Sequence, residues 1–299
     1  MNYRRFTTQD REPVYQLFRE SLWDFMTAGG LVDADDVNEV DASFERQRDF
    51  YQHLEQTAYE DWIAEDDRGV IVGWARSVER AGHLQLTHFY VAPSPQGQGV
   101  GRALLDRAFA PGGDGQRSVL ATTNPSALSL YLRYGVSFRS LGFCMYGAPR
   151  NTSADLHPGI ERAEAGRKTL EEISRIEARV LGYERPVDLE FLLQRQPVYL
   201  LRRQGRVTGY AFGSNDHDCG PAAALDPADL PLLLQAIEAS ALEAGRDELT
   251  LTVPAVAHHA VDWLLAGGYR IDPFYEVLLA RQPTLQLDRY LLTECSFIW

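Results

Sequence analysis

Cationic charge is in short supply in this chain: 29 Lys and Arg stand against 42 Asp and Glu, a formal net charge of −13. Affinity for nucleic acid rests largely on cationic contacts to phosphates, so DNA and RNA are disfavoured as partners. Cysteine is scarce too. Cys144, Cys219 and Cys295 are odd in number and far apart, which fits reduced thiols in a cytoplasmic protein better than a disulfide framework. No run approaches the ~18 apolar residues of a membrane span, and Met1-Asn2-Tyr3-Arg4-Arg5-Phe6 lacks the apolar stretch of a secretory leader. No membrane partner is therefore expected. His217, Cys219, His258 and His259 come nearest to a metal set. Adjacent residues such as His258 and His259 point in different directions on a helix, and no second Cys completes a familiar spacing, so no metal is expected.

What remains is enough for packed cores: 299 residues with 45% hydrophobic content, which suits two domains better than one. Residues 149–159 are polar, turn-rich and unpatterned, and read as a linker between domains at 1–148 and 160–299. In the first, the pattern predicts a strand at 3–6, helices at 12–23 and 44–57, and strands at 61–65 and 70–78. The acidic loop 33–41 separates the two helices.

The chain is organised around Leu84-Gln85-Leu86-Thr87-His88-Phe89-Tyr90-Val91, a half-buried strand. After it come Ala92-Pro93-Ser94-Pro95-Gln96-Gly97-Gln98-Gly99-Val100-Gly101 and a helix with Leu104, Leu105, Ala108 and Phe109 at helical spacing, stopped at 111–113. The first N–H groups of a helix lack intrahelical partners and carry partial positive charge, and glycines let an anion approach the backbone. The loop is a candidate pyrophosphate cradle formed by Gln96, Gly97, Gln98, Gly99, Val100 and Gly101, with Arg102 as additional charge. A strand at 118–122 follows. Asn124 then stands at the cap and Pro125 at the first position of another helix, a strong start signal.

Gln96-x-x-Gly99-x-Gly101 after a strand ending in Val91-x-Pro93 resembles the acetyl-coenzyme A loop of the GNAT (general N-acetyltransferase) superfamily. That superfamily's second signature, N-x-x-A-x-x-L-Y-x-x-x-G-F, is matched by Asn124, Ala127, Leu130, Tyr131 and Gly135, with Val136 where Phe is usual. The resemblance implies an α/β (α+β) fold, a mixed, mostly antiparallel sheet flanked by helices. It implies acetyl-CoA as co-substrate, with direct transfer to a primary amine through a tetrahedral intermediate. It places the pantetheine arm along the backbone of Phe89, Tyr90 and Val91, in a splay beside residues 120–122. Asn124 and Ala127 would support the cofactor, and an N–H near Tyr90 or Val91 would face the developing oxyanion.

Two side chains are expected to move protons. Tyr131 is the resemblance's general acid for the departing thiolate, with Tyr134 the alternative on another face of the helix. An alkylammonium has a pKa near ~10.4, so a base is needed. The central strand offers Thr87 and His88 and no carboxylate, which makes His88 the candidate base and His83, in a turn, a weaker one. The missing carboxylate also keeps open a non-catalytic acyl-CoA-binding sensor or scaffold. The acceptor is expected to be a small-molecule amine or a peptide, with residues 23–41 as its wall; monomer and homodimer both remain open.

The same order then returns. Trp62-Ile63-Ala64-Glu65 and Gly73-Trp74-Ala75 are echoed by Tyr199-Leu200-Leu201-Arg202 and Gly209-Tyr210-Ala211, and Gly135 by Gly268. Aligning the last pair puts Leu264 opposite Tyr131 and Ala257 opposite Asn124, and Gly220 to Pro227 carries no Q-x-x-G-x-G. The second half therefore resembles the degenerate member of a tandem GNAT pair.

Overall fold

The computed structural model describes residues 1–30, 47–93, 99–110, 115–150, 156–214, 219–281 and 284–293. Outside them lie the acidic loop at 33–41, the expected helix start at Phe44, Gln96, Gly97 and Gln98, the helix stop at 111–113, His217 and residues 295–299. Two compact units emerge: Met1–Ser137 with Leu279–Arg281, and the remainder.

In the first unit, β1 (Asn2–Arg5), β2 (Glu60–Glu65), β3 (Ile71–Arg80), β4 (His83–Val91) and β5 (Gln116–Ala121) lie side by side in that order. The first three pairings are antiparallel and β4–β5 is parallel. Past β5, the Arg281 N–H donates to the Arg117 carbonyl at 2.9 Å. Helices α1 (Arg11–Ala28) and α2 (Arg48–Gln56) cover one face: Phe18 meets Tyr90 and Tyr51 meets His88. Helices α3 (Val100–Ala108) and α4 (Pro125–Arg133) belong to the other face, where Phe89 packs.

Small residues decide how closely α3 can lie. Val100, Leu104 and Ala108 recur every four positions and so form one stripe, which buries against Ala64 and Ala75. A Cβ on Gly73 would stand 2.8 Å from Leu104 Cδ1, so this strand position leaves space for the helix only as glycine. The same device recurs in the second unit, where a Cβ on Gly209 would stand 3.2 Å from Leu233 Cδ1.

The second unit repeats the element order: β7 (Ile160–Ala163), α5 (Arg167–Val180), α6 (Pro186–Leu193), β8 (Val198–Arg203), β9 (Arg206–Phe212), β10 (Ala222–Ala224), α7 (Leu230–Glu243), β11 (Leu249–Pro254), α8 (His258–Ala266) and β12 (Arg270–Ala280). The short β13 (Tyr290–Leu291) completes a sheet of order β13-β10-β9-β8-β7. Residues 138–147, read from sequence with the first domain, fall in this unit. The cause is β6 (Ser137–Gly147), which runs antiparallel to β11 from Gly142 opposite Pro254 to Gly147 opposite Leu249. Among the described residues, no helix is long and apolar enough to cross a membrane.

A polar cluster lies inside the second unit. Arg185, 1% exposed, donates to both carboxylate oxygens of Glu177 at 2.7 Å and to the Tyr290 hydroxyl at 2.7 Å. Tyr210, the counterpart of Trp74, donates to Glu177 as well. Removing one partner of a buried ion pair leaves the other charge uncompensated, which costs about 3–5 kcal/mol. Glu177→Gln should therefore lower the urea midpoint of the folded chain clearly. An unchanged midpoint would show that the cluster contributes nothing to stability.

Candidate active site

The register of β3 on β4 shifts at one place: Arg76 pairs with His88 and Ser77 with Leu86, so Thr87 is an extra residue, a bulge. Its hydroxyl donates to the Arg76 carbonyl at 3.1 Å and lies 3.0 Å from His88 Nδ1. On its other edge, β4 pairs with β5 from His83 opposite Gln116 to Leu86 opposite Val119; among the described residues, that ladder goes no further. Phe89, Tyr90 and Val91 thus continue beyond the last β4–β5 pair.

The bulge leaves His88 and Phe89 serving opposite faces. Phe89 packs edge-on to Tyr131 of α4 at 5.7 Å. His88 stacks on Trp74 at 4.3 Å and lies 5.3 Å from the Tyr51 ring. Burial, and then the nearby Arg76 guanidinium, hold the His88 imidazole well below its usual pKa. Burial pushes the Tyr131 phenol far above its usual value, so it stays protonated.

At the N-terminus of α3, Gly99 has φ +83°, a left-handed conformation that favours glycine. Among the described residues no side chain caps this end, and its first turn carries no acidic residue. Gly101 has a packing role as well: a Cβ there would stand 3.0 Å from Phe89 Cζ and 3.4 Å from Leu130 Cδ1. Val100 is buried beneath the helix and Arg102 is exposed on its first turn. Asn124 caps α4, its Oδ1 accepting from Ser126 N at 3.0 Å and Ala127 N at 3.1 Å.

The other sequence candidates take different places. The Tyr134 hydroxyl donates to Asp106 Oδ1 at 2.6 Å, fastening α4 to α3. His83 is the first residue of β4 rather than a turn residue; it is buried with Nε2 2.7 Å from Ser118 Oγ, and burial depresses its pKa to about 4. His258 and His259 are exposed at the start of α8, and Cys219 is buried with Sγ 3.4 Å from the Thr250 carbonyl. Among the described residues no group of three or more His, Cys, Asp or Glu could hold a metal.

Sequence reasoning missed Asp61. From β2 it accepts from Trp74 Nε1 at 2.9 Å and from Arg76 Nε at 2.7 Å, and burial raises its pKa. It fixes the two residues that surround His88. A pocket of about 230 Å³ opens between α1, α2 and β3 on the same side.

A sequence profile described as an acetyltransferase (GNAT) domain matches residues 59–136, which span β4, the loop, α3 and α4. Residues 59–136 thus match a GNAT acetyltransferase domain. A search of curated proteins finds no match. Among solved structures, a Pyrococcus horikoshii protein classed provisionally as an acetyltransferase superposes with TM-score 0.67 at 14% identity, covering 97% of this chain and 92% of its own. A GCN5-related N-acetyltransferase from Sphaerobacter thermophilus gives TM-score 0.58 at 16% identity, with 93% and 94% covered. A tandem GNAT protein from the clavulanic acid biosynthesis pathway gives TM-score 0.56 at 13% identity, with 93% and 97% covered. At such identities the likeness speaks for the fold, which is that of tandem GNAT proteins.

The second unit differs from the first at the corresponding places. Ala257 stands at the α8 N-cap without a capping side chain, and the fully buried Leu264 replaces the tyrosine. Ahead of α7, Asp226 accepts from the Ala228 N–H at 3.0 Å, and Asp229 pairs with Arg203 through Nε at 3.0 Å. Asp226 thus caps the short turn that precedes α7, and Pro231 removes a donor from the first turn of α7 itself. The gap between β10 and β11 is filled by the chain itself: Tyr290–Leu291 pairs with β10, and the Leu292 N–H donates to the Thr252 carbonyl of β11 at 3.1 Å.

Losing an N-cap side chain costs about 0.5–2 kcal/mol. Asn124→Ala should therefore destabilise the first unit by about 1 kcal/mol, measured as a drop in denaturation midpoint.

Proposed function

We propose that the first unit is an acetyl-CoA-dependent N-acetyltransferase acting on the primary amine of a small molecule. The observation that carries this reading is the end of the β4–β5 ladder at Leu86 and Val119, past which β4 runs on to Phe89 and Val91 against Gly101 in the first turn of α3, a turn with no acidic residue. A pantetheine arm pairs with peptide groups as an added strand does, and the backbone of Phe89, Tyr90 and Val91 is the edge for it. A diphosphate would be held by the N–H groups at Gly99, Val100, Gly101 and Arg102, together with Gln96, Gly97 and Gln98. Coenzyme A supplies the thioester when bound.

The chain's own residues then divide the remaining tasks. An N–H near Tyr90 or Val91 is the oxyanion donor. Tyr131, protonated because it is buried, is the donor to the departing thiolate, held against Phe89 by ring contact. His88 is the proposed proton acceptor, oriented by Thr87 and Trp74 and kept neutral by burial and by Arg76. Asn124 and Ala127 shape the start of α4 rather than react. The second unit is read as framework without a cofactor site of its own.

One observation favours a second reading. A proton acceptor works best with a pKa near the operating pH, and His88 is held well below that. A weak base in this position suits a non-catalytic acyl-CoA-binding sensor or scaffold. Acetyl-CoA binding with no acetylation across a broad amine panel would establish it and end the transferase reading.

Tyr131→Phe should lower kcat about 100-fold while leaving the calorimetric affinity for coenzyme A unchanged, at one site per chain. Unchanged turnover would remove the role given to Tyr131, and two equal sites would overturn the reading of the second unit. The pH profile tests His88 separately. The base must be unprotonated to act, and a depressed pKa keeps it so to lower pH. The acid limb of kcat at saturating amine should therefore lie below the ordinary imidazole value of about 6.5. A limb centred at that value would mean that another group is titrating.

A further inference from the structure

The pocket between α1, α2 and β3 has a definite chemical character. Five of its walls are aromatic: Phe6, Tyr15, Phe18, Tyr51 and Trp74. Three of these rings, Phe18, Tyr51 and Trp74, are fixed by one another or by β4. Phe18 stands edge-on to Tyr90 at 5.0 Å and to Tyr51 at 6.1 Å, and Trp74 stacks with His88 at 4.3 Å and with Tyr90 at 5.9 Å. The site is preformed, and a ring entering it gains edge-to-face partners without ordering new side chains.

Size and charge narrow the occupant. About 230 Å³ is smaller than the ~300–1,000 Å³ of drug-sized sites, so it holds a single ring with a short chain and has no room for an oligosaccharide. The charged walls are three arginines, Arg11, Arg48 and Arg76, against two glutamates, Glu12 and Glu55. Glu55 accepts from Arg11 Nε at 2.8 Å and Nη2 at 2.7 Å, while Arg76 donates to Asp61. A polyamine or aminoglycoside, which is recognised by several carboxylates, meets no negative excess among the described residues of this wall. Tyr90, in the part of β4 beyond Leu86, packs on two of these walls, Phe18 and Trp74, which sets the pocket next to the reacting end of β4.

We infer that the acceptor is a small arylalkylamine whose flat ring occupies this pocket, with Phe18 and Tyr15 setting the specificity. That the amine is an acceptor rests on the transferase reading; that the pocket binds its ring does not.

The test is calorimetry on the full chain in the presence of coenzyme A, with 2-phenylethylamine, spermidine, kanamycin and a free-amine hexapeptide as probes, followed by acetylation assays with acetyl-CoA. 2-Phenylethylamine should bind about tenfold or more tighter than each of the others. Phe18→Ala should weaken it about tenfold with coenzyme A affinity held within about twofold. Tyr15→Ala, at a half-buried wall, gives the same readout should the Phe18 variant fail to fold. Tighter binding of spermidine, kanamycin or the peptide overturns the inference, as does 2-phenylethylamine binding that neither substitution changes. The two readings separate cleanly: 2-phenylethylamine bound but never acetylated upholds the pocket and overturns the transferase, whereas spermidine acetylated with no 2-phenylethylamine bound does the opposite.

Discussion

The break in the β4–β5 ladder is the constraint on which the first unit's arrangement depends. One surplus residue, Thr87, interrupts the pairing with β3, and the parallel pairing with β5 ends at the neighbouring Leu86. A bulge bends its strand and increases the local twist, which moves the continuation away from a straight neighbour. The edge of Phe89, Tyr90 and Val91 lies past that point, with the α3 N-terminus following it in sequence. Thr87 also donates its own hydroxyl to the Arg76 carbonyl, so the distortion is tied down rather than left to fluctuate.

The second unit shows what the same scaffold does when such a gap is not kept for a ligand. Tyr290–Leu291 adds to β10 and Leu292 bridges to β11, so peptide groups of the chain itself fill the space between those strands. Beneath Tyr210, where the first unit has an aromatic pocket around Trp74, the second has the Glu177–Arg185–Tyr290 cluster. A tightly filled gap gains hydrogen bonds, and an open one is retained at a cost in stability.

Much of this was legible in the sequence because the relevant signals are local. The Gly99–Gly101 loop, the Asn124-Pro125 helix start and the glycines shared by the two halves each act within a few residues, and the element order followed from them. The bulge was not legible, since a one-residue register shift leaves no mark in composition. Gly101 was read as room for a phosphate, yet its Cβ position is also claimed by Phe89 and Leu130, a contact made only once helix and strand are packed. Asp61 escaped because β2 is far from β4 in sequence, and the two-residue β13 carries too little pattern to announce its pairing. The aromatic pocket draws on Phe6, Phe18, Tyr51 and Trp74, which only the tertiary fold gathers.

Charge illustrates how global and local readings diverge. A net −13 favours encounter with any cationic amine, but that field is screened over about 8 Å at physiological ionic strength and does not distinguish one amine from another. In the proposed acceptor pocket Arg11 already occupies Glu55, and Asp61 already occupies Arg76. With those charges committed to each other, Glu12 is the one carboxylate left on the wall among the described residues, so several ammonium groups on one acceptor would not all be paired, and desolvating the rest is penalised. The discriminating contacts left are ring faces and edges, and these act on the shape of the amine's far end rather than on its charge.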